Sequence, residues 1–238
     1  MPDRRNHRGP APEDSRLFAA DQHPRLRAGV HDLAWLLTRG YAPVSSLAIV
    51  GNRYALCSRQ RLAVARAACS DAQRQHRAER LVPASGMRGK ALWLDGFNVL
   101  TTLEAAFAGA VVFRCRDGCL RDIASVHGTY RIVAETEPAL LAIAAETQRL
   151  GISECRWFFD APVSNSGRLG THLLGLAARE GLPWNVELVP DPDPVLAAAL
   201  ETIATADSAI LDHECRRFDL CSSVLESRAD VRWLDLSA

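Results

Sequence analysis

The sequence predicts an α/β fold, a mostly parallel sheet flanked by helices, preceded by a small, basic, all-helical domain. Three observations predict it. Beyond residue 88, short apolar runs at 91–95, 155–159, 184–189 and 202–206 alternate with helical segments, and strands that alternate with helices pair in parallel with both faces of the sheet covered. Before residue 88 the apolar periodicity is helical. Charge divides at the same place: residues 1–90 carry 16 Lys plus Arg against 7 acids, and residues 91–238 carry 12 against 21, although the net charge is zero.

The elements follow from local signals. Residues 1–24 are rich in Arg, His, Pro and Asp without periodic hydrophobicity and read as a disordered tail. A helix runs from about Gly29 to Thr38, stopped by Gly40 and Pro43, with Trp35, Leu36 and Leu37 as its core stripe. Residues 54–69 read as a second helix. At Ser70 the Ser-x-x-Gln pattern of a capping box starts a third, ending near Arg80. "VPASGMRGK" reads as a linker, so a basic helical domain spans 25–88 and an α/β domain 89–238. In the second domain, strand 91–95 leads to a short helix over "LEAAF", then a hairpin over 110–124 about "RDG". An amphipathic helix over "EPALLAIAAETQRLG" ends at Gly151. Strand 155–159, helix 166–180, strand 184–189, helix 194–200 and strand 202–206 complete the alternation.

Composition narrows the class. A 48% hydrophobic fraction over 238 residues is that of a globular chain. No apolar stretch reaches the ~18 residues of a membrane span, and the N-terminus has no apolar leader, so a cytoplasmic location without membrane contact is expected. The seven cysteines include no C-x-x-C pair, which argues against a disulfide framework and a zinc ribbon. Cys115 and Cys119 flank the hairpin turn, with His213 and Cys215 as weak further zinc candidates.

The functional signal is acidic. The apolar run "ALWLDGFNVL" breaks at Asp95, "CRWFFDAP" at Asp160 and "ETIATADSAILD" at Asp207, and "VPDPDP" puts Asp191 and Asp193 just past a fourth strand. Ligands bind in the crevice outside the carboxyl ends of parallel strands. Carboxylates gathered there need a cation, and hard oxygen donors suit Mg²⁺ or Mn²⁺. Any one such Asp is also an ordinary turn or cap residue; the repetition favours the metal. Missing parts exclude other chemistries. There is no Walker loop or dinucleotide fingerprint, Phe97 stands where an aspartyl-phosphate phosphatase would need a second Asp, and "VSNSG" is not a serine-hydrolase elbow.

These motifs, "LWLDGFNVL", "FFDAP" and "TADSAILD", resemble the successive acidic motifs of the PIN-like fold, a Rossmannoid α/β architecture, and especially its NYN branch, largely metal-dependent ribonucleases. The whole chain, with "VGNRYAL", "RQRLAVAR", "RDIASVHGTYR" and "PVSNSGRL", resembles an archaeal and bacterial family, domain of unknown function 434, with a PIN-like C-terminal half. The resemblance implies Asp95, Asp160 and Asp207 as metal ligands, Asp193 as a fourth and Asn98 as a hydrogen-bonding neighbour. Ser208 and Asp212 follow Asp207 where the family usually has a fuller acidic set.

Other polar residues fit such chemistry: "RDIASVHGTYR" adds Asp122, His127, Tyr130 and Arg131 after the hairpin. His127 could protonate a leaving oxygen and Arg131 grip phosphate, or His127-Gly128 could form a turn and Arg131 pair with an acid such as Glu135. Asn165 and Ser166 could contact phosphate at a helix start, with an N-cap the favoured reading for Ser166. Arg59 and Arg66, seven apart, share a helical stripe, surrounded by Arg53, Tyr54, Arg61, Arg74 and Arg77, a pattern of phosphate contacts with one ring for stacking. The expected function is a Mg²⁺- or Mn²⁺-dependent endoribonuclease, catalytic through Asp95, Asp160, Asp207 and His127, with tRNA or rRNA as candidate substrates. The alternatives are an RNA-binding protein with a degraded site and, third, a small-molecule phosphatase. Oligomeric state is not encoded in these signals.

Overall fold

The computed structural model describes residues 7–124, 128–226, 228, 231 and 233–237. The chain enters through a short helix α1 (Asp14–Leu17), then α2 (His23–Thr38), α3 (Pro43–Arg53), α4 (Ser58–Ala67) and α5 (Asp71–Glu79). Helix α2 begins six residues before the expected start, with Pro24 in its first turn, where a missing N–H costs nothing. Helix α3 was not expected: Pro43 opens it rather than closing α2. The Ser70 capping box forms as expected. The Ser70 hydroxyl accepts from the Gln73 N–H at 3.1 Å, and the Gln73 side chain accepts from the Ser70 N–H at 3.0 Å.

The main sheet holds β1 (Ala91–Asp95), β4 (Glu154–Asp160), β5 (Trp184–Val189), β6 (Thr202–Ala204) and β7 (Arg216–Arg217) in the order β5-β4-β1-β6-β7, every pairing parallel. Between β1 and β4 lie α6 (Gly96–Phe107), the antiparallel hairpin of β2 (Val112–Arg114) and β3 (Leu120–Asp122), and α7 (Thr136–Leu150). The hairpin leaves the main sheet and pairs through β2 with β8 (Leu234–Asp235). Helices α8 (Ser166–Glu180), α9 (Pro192–Ala197), α10 (Ser208–Leu211) and α11 (Leu220–Glu226) complete the chain. Side-chain alternation assigns the faces. Leu92, Leu94, Trp157, Phe159 and Ala204 pack against α6, α7, α8 and α11, while Phe158, Ile203 and the half-buried Trp93 face α9 and α10. Gly151 closes α7 with a left-handed backbone, φ 68°.

The stretch expected as a tail is anchored over its described part. Arg8 donates to the fully buried Glu104 at 2.5 Å, and Asp14 pairs with Arg59. The expected linker is tied down as well: the Val82 N–H donates to the Arg217 carbonyl at 2.8 Å, and Met87 is fully buried. The helices share a core with the hairpin, since Leu26, Val30 and Val64 cluster with Phe113, Cys115, Ile123 and Leu236. Trp35 is 48% exposed with the Arg39 guanidinium over its ring, so it is not the core residue expected; Leu36 and Leu37 do pack on the core. Among the described residues no helix is long and apolar enough to cross a membrane.

Candidate functional site

The sheet order makes β5, β4, β1 and β6 neighbours. Their carboxyl ends therefore deliver Asp191 and Asp193, Asp160, Asp95 and Asp207 to one edge. Asp95 ends β1 and caps α6: its Oδ1 accepts from the Asn98 N–H at 3.4 Å and its Oδ2 from the Thr205 hydroxyl at 2.8 Å. Gly96 makes this turn possible. A Cβ there would lie 2.2 Å from the ring of Phe159, which is itself fully buried against Phe97 and Trp157. The sequence Asp-Gly-Phe-Asn is thus a strand end feeding directly into a helix.

The loop after β6 is held against the same turn. The Asn98 Oδ1 accepts from the Ala206 N–H at 2.8 Å, and the Thr205 hydroxyl, while donating to Asp95, accepts from the Asp207 N–H at 3.0 Å. Asp207 and Asp191 cap α10 and α9 respectively, accepting from the Ala209 N–H at 2.7 Å and the Asp193 N–H at 3.1 Å.

The acids feel one another. Burial pushes the Asp95 carboxyl up to about 7, against the pull of its two hydrogen bonds, with Asp207 and Asp193 adding to the rise. Burial also raises Asp193, which feels Asp207, Asp191 and Asp160, and burial with the nearby Asp191 raises Asp160. Yet among the described residues no three His, Cys, Asp or Glu side chains converge closely enough to hold a metal ion between them. The donor set suits Mg²⁺, which keeps several waters and is commonly held through one or two carboxylates, better than an ion needing a closed protein cage. It does not suit zinc. Cys115 and Cys119 are buried, burial lifts the Cys115 thiol to about 11, and the Cys119 Sγ accepts from Arg217 at 3.2 Å.

Two clefts flank the acids. One, of about 600 Å³, lies between α9 and α10 and is walled by Asp193, Pro194, Ala197, Ile210 and His213. The other, of about 190 Å³, is lined by Arg66, Asn98, Thr102, Asp122, Asp207 and Ser208 among others. Asp122 is buried in that wall, accepting from the Thr102 hydroxyl at 2.9 Å and the Ala124 N–H at 2.6 Å. The sequence grouped Asp122 with His127, Tyr130 and Arg131 after the hairpin; it ends β3 and shares this cleft with Asp207.

Several expected site residues have other duties. Asp212 accepts from Arg77 at 2.6 Å and from Gln73 at 2.7 Å, and so braces α5 against α10 rather than serving the acids. The Asn165 side chain donates to the Tyr130 carbonyl at 2.9 Å. Ser166 is the first helical residue of α8, not its cap, and its hydroxyl donates to the Asp160 and Val163 carbonyls at 2.5 and 2.6 Å. His127 lies outside the described residues. Arg131 is half-buried, and its carbonyl accepts from Arg8 at 3.5 Å. Glu135, the partner suggested for Arg131, accepts from His7 at 2.8 Å.

The expected basic stripe is largely spent internally. Arg59 is paired with Asp14, Arg61 donates to the Leu56 carbonyl and Asn52, both at 2.8 Å, and Arg77 is 1% exposed. Arg53 is 69% exposed, 3.4 Å from Asp32, which also accepts from the Tyr54 hydroxyl at 2.8 Å. Arg74 is exposed. A buried hub lies beneath: Asp117 accepts from Arg77 at 2.6 Å and from Arg121 at 2.7 and 2.9 Å. Burial alone would raise the Asp117 carboxyl; Arg121 and Arg77 together hold it far below the usual range. Arg121 also donates to the Ala206 carbonyl at 2.7 Å, so the hub fixes the loop that carries Asp207.

Two family models match the chain, one after the other. Residues 25–80 match a family described as Protein of unknown function (DUF434), and residues 84–223 match one described as Domain of unknown function (DUF5616). An uncharacterized protein of Methanocaldococcus jannaschii is 30% identical over 197 residues, covering 82% of this chain and 94% of that protein. No solved structure matches the chain. The strand-end acids, their hydrogen-bonded loops and both flanking clefts thus fall within residues 84–223, except for the Arg66 wall, and the chain belongs to the DUF5616 family with a DUF434 segment ahead of it.

Proposed function

We propose that the chain is a metal-dependent endoribonuclease of PIN-like type that hydrolyses RNA phosphodiester bonds at the carboxyl edge of its parallel sheet. One observation carries the reading: Asp95, Asp160, Asp193 and Asp207 leave four adjacent strands on the same edge, with Asp95 raised to about 7 by burial and by its acidic neighbours. A buried carboxylate among others is unfavourable when ionised unless a cation joins it. A bound Mg²⁺ or Mn²⁺ supplies a water of lowered pKa and neutralises charge on the leaving oxygen.

The chain's own residues do the positioning. Thr205 and the Asn98 N–H fix the Asp95 carboxylate in one orientation, Asp193 and Asp207 stand toward solvent on either side, and the buried hub holds the Asp207 loop rigid. The apolar cleft between α9 and α10 offers a base a surface next to Asp193. The absence of a closed three-ligand cluster among the described residues favours, as second reading, an RNA-binding protein with a degraded site. A small-molecule phosphatase ranks third, because Phe97, two residues past Asp95, is a buried core ring.

The test is incubation of the purified full chain with mixed cellular RNA in Mg²⁺, Mn²⁺ or chelator, with small phosphate esters in parallel. Metal-dependent internal cleavage supports the proposal. Binding without cleavage selects the second reading, and hydrolysis of the esters alone selects the third.

A further inference from the structure

The smaller cleft is built from both family segments. Helix α4 contributes Arg66, α6 contributes Asn98 and Thr102, the hairpin contributes Asp122, the turn after β6 contributes Asp207 and the start of α10 contributes Ser208. Arg66 is 35% exposed, and only its Nη1 is engaged, donating to the Asp122 carbonyl at 2.7 Å. Its Nε and Nη2 make no hydrogen bond among the described residues. The Asn98 amide is oriented by the Ala206 N–H, which donates to Oδ1 and leaves Nδ2, the donor end, unengaged among the described residues. The Ser208 side chain is likewise uncommitted there. The cleft thus gathers three donors uncommitted among the described residues beside Asp207, and convergent polar groups in a concavity are what a ligand site offers.

We infer that this cleft is a phosphate subsite, in which Arg66, Asn98 and Ser208 hold the oxygens of one phosphodiester beside Asp207. The inference rests on the nuclease reading for the identity of the substrate, though not for the presence of the subsite. At about 190 Å³ the cleft is smaller than the ~300 Å³ at which pockets begin to take whole small molecules, which suits a phosphate group rather than a nucleotide. Asp122 carries like charge when ionised, but Arg66 lies 3.8 Å from it and offsets part of its repulsion, and Thr102 and the Ala124 N–H hold its oxygens. Asp207 also carries like charge, so a phosphate is held most firmly when a divalent cation lies between them. The helical segment is therefore a wall of the site rather than a separate grip, and Arg66 is its contribution.

The test uses the full chain and a dye-labelled ten-nucleotide oligouridylate, its binding followed by fluorescence anisotropy in chelator and in Mn²⁺, with inorganic phosphate as competitor. Arg66→Met should weaken oligouridylate binding roughly tenfold, as expected for a hydrogen bond to a charged group. It should also reduce the salt dependence by the ~0.7 of one lost single-strand phosphate contact. Arg179→Ala, which removes an exposed charge of α8 paired with Glu137 and Glu180, should change neither. Because Arg66→Met also unpairs Asp122, Asn98→Asp serves as a second variant that leaves Arg66 and Asp122 in place: it should weaken oligouridylate in chelator while leaving Mn²⁺ affinity equal or tighter. Equal losses in Arg66→Met and Arg179→Ala, or unaltered binding in Asn98→Asp, overturn the subsite. Calorimetric binding of inorganic phosphate by the parent but not by Arg66→Met, without oligouridylate binding, supports the subsite with a small phosphate ester as its source. Arg66-dependent binding in chelator with no Mn²⁺ uptake and no cleavage supports the subsite while the nuclease reading fails.

Discussion

Asp95 is where burial and charge work against each other. In the cation-free protein its carboxyl keeps its proton up to about pH 7, whereas the unfolded chain releases it near 3.8. The folded state binds more protons across that window, so this residue's contribution is fully present below about pH 4 and is lost as pH rises through about 7. Asp95→Asn removes the dependence. The cation-free variant should therefore be more stable than the parent at pH 8, by on the order of a few kcal/mol, with the difference vanishing near pH 4. Urea titrations at the two pH values read it directly; a variant less stable at pH 8 would mark Asp95 as a structural cap. The acids themselves were legible in the sequence, because a strand end shows as an apolar run that stops at a carboxylate. The pairings of Asp122 with Arg66 and of Asp212 with Arg77 were not, because those arginines lie far away in the chain and only folding brings them together.

Among the elements, β1, β5 and α8 match the sequence reading residue for residue, their periodicity being set by burial on defined faces. The misses were punctuation. Pro43 read as a stop opens α3, and the helix expected only over "LEAAF" already starts at Gly96. Gly96 is there for closeness, since Phe159 occupies the space of a side chain. Gly96→Ala should destabilise by about 1–3 kcal/mol, the usual cost of overpacking, and should disturb the Asp95 turn. An unchanged unfolding midpoint would show that Phe159 moves freely. The hub makes a stronger prediction. Asp117→Ala leaves Arg77 and Arg121 buried without their shared partner, and should cost about 3–5 kcal/mol. It should also loosen the loop held by Arg121, seen as faster amide exchange at Ala206 and Asp207.

At the scale of the molecule, the opposite charges of the two segments are used internally. Arg8 pairs with Glu104, Arg66 with Asp122, Arg77 with Asp117 and Asp212, and Arg80 with Glu214. Composition showed the asymmetry but not its destination, since an excess of arginine looks the same whether it meets a polyanion or the other half of its own chain. Together with the core shared by Val64, Phe113 and Ile123, this pairing predicts that the full chain unfolds in one transition. It also predicts that residues 89–238 alone, stripped of that cover, lose cooperative unfolding; an independently stable fragment would contradict the shared core. The central claim, that the strand-end acids hold a divalent cation, is tested most directly by calorimetric titration of the full chain with Mn²⁺ at pH 7, parent against Asp95→Asn. The account predicts saturable binding by the parent with release of protons, because Asp95 titrates near that pH, and affinity at least roughly tenfold weaker in the variant, as for loss of one charged ligand interaction. A parent that takes up no Mn²⁺, or a variant that binds it equally well, would contradict it.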